Sequence, residues 1–85
     1  MPDMDSDWIS LNKLKPGEEA IIRGFGVNSA VEEYLMELGL MIGTQVTLIK
    51  SAPLGDPIEI KVRGFFLSMR RSEAQSILVE RTKRA

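Results

Sequence analysis

The sequence predicts a mainly β protein: a small closed or nearly closed barrel of about five strands. One α-helix is inserted after the first strand, and a short helical turn precedes the last. Three observations carry this prediction. Ile58, Ile60 and Val62 alternate with Glu59, Lys61 and Arg63, the period of a half-buried strand. Other short runs of strand-forming residues are separated by turns rich in Pro and Gly. Only residues 28–40 combine a helical period with start and stop signals. At 85 residues the chain has room for one core, and it buries about 60–65% of its unfolded surface.

The elements follow in order. Leu11 and Leu14 anchor a turn closed by Pro16-Gly17; Pro sets φ at the first central position and Gly supplies positive φ at the second, a type II signal. The first strand, EEAIIRGFG, is β-branched in its middle and ends at Gly24 and Gly26. In NSAVEEYLMELGL, Ser29 and Glu32 fit a capping box, with Asn28 a competing N-cap. Val31, Tyr34, Leu35 and Leu38 form one apolar face, and Gly39 suits the position just past the helix, with Leu40 closing it. TQVTLIK sets Val46 and Leu48 against Thr47 and Ile49, and FFLSMRR groups Phe65, Leu67 and Met69 against Phe66, Ser68 and Arg70. SEAQSI reads as a helical turn with Ser72 and Gln75 as capping pair, and ILVE as a final strand. Barrel closure would remove the hazard of an unpaired edge strand. Residues 1–7 are expected to be a disordered acidic tail, 8–80 the folded unit and 81–85 a basic tail.

Composition narrows the chemistry. There is no Cys and no His, which removes disulfides, thiolate metal sites and His-based catalytic triads. With 11 basic and 12 acidic residues and a net charge of −1, no global field draws the chain to nucleic acid or anionic lipid. The acidic start lacks an apolar core, and no run reaches the ~20 apolar residues of a membrane span; a cytoplasmic protein is the expectation. Gly24, Gly26 and Ser29 mimic a dinucleotide fingerprint, but the chain leads into hairpins rather than a parallel βαβ unit. Asp3, Asp5 and Asp7 begin like a calcium loop, yet Trp8 stands where Gly is needed and Leu14 where Glu is needed. Glu32, Glu33 and Glu37 read as a solvated helix face. Lys61 and Arg63, with Arg70 and Arg71, would make a basic patch, but Phe66 is the only aromatic beside them. No base and nucleophile assemble, so the expectation is a non-enzyme without metal or cofactor site.

Four segments then carry a resemblance: LNKLKPGEEAIIRGFG, LMELGLMIGTQV, APLGDPIEIKVRG and LSMRRSEAQSILVE. In this order and spacing, from Leu11 to Glu80, the chain resembles the FeoA (ferrous iron transport protein A) family. The resemblance implies an SH3-like β-barrel and a cytoplasmic accessory of bacterial ferrous iron uptake. It also implies a partner, the membrane permease FeoB with its GTPase-bearing cytoplasmic part, and, at the level of the family only, transition-metal binding. The same barrel forms one domain of metal-dependent repressors, so regulation of transcription through a repressor or nucleic acid is the competing reading. Met41 and Ile42 replace a polar residue and a proline usual in the family, and Phe66 replaces a polar one; they suggest a contact surface for a partner or a homodimer.

The stretch SAPLGDPIEI gives the sharpest candidate. Pro53, Gly55 and Pro57 stiffen a loop around Leu54, an apolar residue where a solvated loop normally carries a polar one. An apolar anchor with Asp56 and Arg63 as polar rim fits a docking element. The alternative is that Leu54 folds back to cap one end of the barrel.

Overall fold

The computed structural model describes residues 8–26 and 29–82, and side chains in the helix from Glu32 onward. The elements are β1 (Trp8–Ser10), a 3-10 turn (Leu11–Lys13), β2 (Glu19–Phe25), α1 (Ser29–Glu37), β3 (Gln45–Ser51), β4 (Ile58–Val62), β5 (Phe65–Met69), α2 (Arg71–Gln75) and β6 (Ile77–Arg81). Six strands make one antiparallel sheet in the order β1-β6-β2-β3-β4-β5. The mainly β fold with one inserted helix and a short second one is as expected. The additional strand, β1, is only three residues long, too short to show an alternation in sequence.

The link from β5 to β6 sets the shape of the sheet. In that strand order β5 and β6 run parallel, four strand spacings apart. In a flat sheet the chain would cross ~19 Å sideways and return ~17 Å along the strands. Residues 70–76 make the crossing with five of them helical, a reach of at most ~18 Å. The sheet therefore coils enough to bring the start of β6 within that reach of the end of β5, and the inward rows meet in one core.

Those rows are Ala20–Val46–Val62–Phe65 and Leu48–Ile60–Leu67, with Ile58 beside Met69 and Ile22 beside Val79. Every member except Phe65 and Leu67 is buried. Phe65 lies on the inward row as the alternation predicts, but at the mouth, where it is 42% exposed. Leu11 and Leu14 are buried as predicted, and Gly17 takes φ +90° while Glu18 N–H donates to the Lys15 carbonyl at 2.9 Å, closing the Pro16-Gly17 turn.

Helix α1 buries Leu35 completely and leaves Tyr34 half-exposed, so the apolar face is narrower than its periodicity suggested. The proposed caps at Asn28 and Ser29, and the side chain of Val31, lie outside the described residues, as do the tail residues 1–7 and 83–85. The C-terminus is as expected: Gly39 has φ +92°, Gly39 N–H donates to Met36 O at 3.0 Å and Leu40 N–H to Leu35 O at 2.9 Å. This is a Schellman ending, and both Leu35 and Leu40 are fully buried beneath it. At α2 the expected Ser72–Gln75 pair gives way to another. The helix starts at Arg71, and the Glu73 carboxylate accepts the Arg70 N–H at 3.1 Å. The last strand continues through Arg81, one residue beyond the expected end of the folded unit; Arg81 pairs with Ala20.

Among the described residues closure is incomplete. The sheet ends at β1 and β5, and among the described residues no ladder joins them.

Two expectations follow. Gly39→Ala should destabilise by about 1–2 kcal/mol, because an L side chain strains the left-handed position; denaturant titration reads it. The Lys15 N–H, and then the Arg81 guanidinium 3.1 Å away, hold the Glu18 carboxyl below its ordinary 4.5. A lowered pKa contributes stability above the unfolded value and loses it as pH falls through the folded one. Thermal melts of Glu18→Gln should therefore fall less steeply below about pH 4.5 than the parent's.

Candidate functional site

Residues 52–57 connect β3 to β4 at the end of the barrel where α2 begins. Gly55 N–H donates to Ala52 O at 2.7 Å, which makes Ala52-Pro53-Leu54-Gly55 a β-turn, and Ala52 N–H donates to Pro57 O at 2.9 Å, closing the loop at its neck. Pro53 occupies the first central position and Gly55 the last, with φ +90°, as such a turn favours. The Asp56–Pro57 peptide is cis. Leu54, at the second central position, is 95% exposed. It does not cap the barrel; it stands in solvent.

Asp56, expected as part of a polar rim, has a partner within the fold. Its Oδ1 accepts the Arg71 N–H at 2.8 Å, capping the first turn of α2 from fifteen residues earlier in the chain. Arg71 is itself a hub: its carbonyl accepts from Asn12 Nδ2 at 3.2 Å and its guanidinium donates to Asn12 O at 3.4 Å. The loop, α2 and the 3-10 turn are thereby fastened to one another. Sequence spacing carries no signal of these contacts, since the partners lie 15 and 59 residues apart. Pro57 separates two shallow grooves, about 360 Å³ between it and Lys50, Glu59 and Ser68, and about 300 Å³ between it and Arg70 and Glu73.

The other sequence-predicted residues lie at the opposite end. Arg63 and Gly64 form the two-residue turn between β4 and β5, with φ +51° and +90°. Pro57 precedes β4 and Arg63 follows it, so ~17 Å of strand separates them. Arg63 is no rim for Leu54. It lies instead beside the end of α1, its Cδ 3.8 Å from where a Gly39 Cβ would stand. Met41 and Ile42 are exposed on the adjoining turn, which is closed by Thr44 N–H to Met41 O at 3.0 Å.

Phe66 is 59% exposed on the outer face, in the cross-strand row Glu19–Thr47–Lys61–Phe66. The Lys61 ammonium sits 5.9 Å from its ring centroid, a cation–π contact. Acidic residues interleave the basic ones, Glu19 on this row and Glu59 beside Lys50 on the next. Arg70 and Arg71 lie at the other end from Arg63, so these four basic residues form no continuous patch. Among the described residues no three acidic side chains converge, and no helix is long and apolar enough to cross a membrane.

Comparison with known proteins places this barrel. The family model described as FeoA domain matches residues 9–81. The chain belongs to the FeoA domain family. A FeoA-like protein of Clostridium acetobutylicum superposes with a TM-score of 0.86 at 35% identity, covering 93% of this chain and 92% of that one. The FeoA protein of Chlorobium tepidum gives 0.82 at 40% identity, covering 88% and 71%. The Fe(2+) transport protein A/Fe(2+) transporter FeoB fusion protein of Porphyromonas gingivalis is 30% identical over 70 residues, 82% of this chain. The chain spans only 8% of that relative's length. The SH3-like barrel expected from the resemblance is therefore this protein's fold, and the two ends described above are ends of a FeoA barrel.

The Asp56 cap and the exposed Leu54 tip separate by mutation. Asp56→Ala should destabilise the FeoA fold by about 1 kcal/mol through loss of the cap on α2. Leu54→Asp should change stability by less than about 0.5 kcal/mol, as an exposed position does; chemical denaturation of both variants checks this.

Proposed function

We propose that this FeoA domain is a non-enzymatic cytoplasmic accessory of ferrous iron uptake. It docks through residues 53–57 on the cytoplasmic part of a FeoB-type permease. The observation that carries the reading is Leu54, 95% exposed on a turn held at its neck and fastened to α2 by Asp56. A side chain presented on a preorganised loop loses little conformational entropy when a partner covers it. Burying it is worth about 1.5–3 kcal/mol. Pro53 and Pro57, exposed beside it, extend the apolar tip, and the neighbouring grooves give a partner's side chains somewhere to seat.

The P. gingivalis relative, by its name, unites an Fe(2+) transport protein A with FeoB in one protein. Fusion of two modules replaces a bimolecular encounter by a high effective concentration. Its occurrence supports association as the mode of action here as well.

Titration calorimetry of this chain against the cytoplasmic part of the permease tests the proposal. Leu54→Asp should weaken binding by about tenfold or more, the loss of roughly 1.4 kcal/mol or greater. Unchanged affinity removes the loop from the interface, and absence of binding by the parent removes the docking.

A further inference from the structure

The two edges of the sheet are unequally defended. Among the described residues β1 has three, and a short edge offers little to an incoming strand. β5 has five residues in regular register with β4, without bulge, Pro or charge, and reads FFLSM. Its only ladder among the described residues is to β4. The two-residue turn Arg63-Gly64 makes Val62 and Phe65 a hydrogen-bonded pair. Phe65, Leu67 and Met69 therefore turn their backbone groups to β4, and Phe66 and Ser68 turn theirs outward. Phe66 and Ser68 are both exposed.

We propose that β5 pairs antiparallel with β5 of a second copy of this chain, about a two-fold axis at Leu67. That axis sets Phe66 opposite Ser68 of the second copy, and Ser68 opposite its Phe66. Both outward-facing residues of each strand are then satisfied, since each such pair exchanges both bonds.

Charge selects this register over its neighbours. On the outer face Glu59 adjoins Ser68 and Lys61 adjoins Phe66. With the axis at Leu67, the rows read Glu59–Ser68, then Phe66–Lys61 of the second copy. Opposite charges flank the seam twice, with Lys61 already leaning over its own Phe66 ring and Ser68 small enough for Glu59 to reach across. An axis at Phe66 would bring Lys61 toward Lys61, and one at Ser68 would bring Glu59 toward Glu59. On the same face the two Phe66 rings become diagonal neighbours, within reach of aromatic side chains. On the inward face Phe65, 42% exposed in the single chain, comes opposite Met69 of the second copy.

Sedimentation velocity over a concentration series reads the result. The parent should show a reversible monomer–dimer equilibrium, and Leu54→Asp should show the same one, which separates this surface from the permease-docking loop. Ser68→Pro removes an outward N–H that the β4 ladder does not use. It should weaken association by about tenfold or more without lowering the melting temperature. Glu59→Lys and Lys61→Glu should each weaken it, and the double exchange should restore it. This set stands even where Ser68→Pro fails to fold. A parent that stays monomeric throughout overturns the proposal, as does a dimer indifferent to Ser68→Pro or a double exchange no better than the single ones. If Ser68→Pro instead abolishes binding to the permease's cytoplasmic part while the parent never self-associates, the edge has another occupant and self-pairing is wrong.

Discussion

The short passage from β5 through α2 to β6 is the constraint on which the rest of the structure depends. Seven residues, five of them helical, span what would be four of the five strand spacings of a flat sheet. The strands must coil to let the chain return. Coiling turns one face of every strand inward and gathers Val46, Ile58, Ile60, Val62, Ile77 and Val79 into a common core. Helix α2 makes the turn possible, and its first turn is held by a carboxylate from another part of the chain. The Asp56–Arg71 contact is thus both a helix cap and the fastening of the loop that carries Leu54.

That arrangement explains how an apolar side chain remains in water on a stable fold. The core is complete without Leu54, so nothing draws the residue inward, and the bonds at the loop's neck and at Asp56 hold the tip outward. At the far end of β4 the surface has a different character. There a left-handed Arg63, the exposed turn at Met41 and Ile42, and the Phe66–Lys61 pair surround the β4–β5 hairpin. The two ends are surfaces separated by the length of a strand.

Much of the fold was legible in local pattern. The alternation through Ile58, Ile60 and Val62, the Pro16-Gly17 turn and the Gly39-Leu40 ending each depend on residues within one turn or one strand of each other. Their physics is steric and local, and the structure has them as read. Tyr34 and Phe65 are more exposed than their periodicity implies, for a shared reason. Periodicity gives the direction of a side chain but not how far along the element the core extends, and both lie where cover runs out. β1 escaped because three residues are too few to display a period. The candidate site was half legible: the composition of SAPLGDP marked a stiff loop with an apolar tip, but not which way the tip pointed.

By itself, then, the sequence determined five of the six strands, the helix and its termination, the stiff loop, and membership of the FeoA family through the order and spacing of its segments. Only the tertiary structure decided that Leu54 faces water, that Asp56 belongs to the cap of α2, that Arg63 lies at the other end of the barrel, and that among the described residues β5 pairs on one edge alone. The division has a physical origin. Strand alternation, helix ends and turn residues follow from bonds made between near neighbours, which a short window of sequence contains. Exposure, capping across 15 residues and the sheet's open seam follow from how the coiled sheet closes, and no window of the chain contains that.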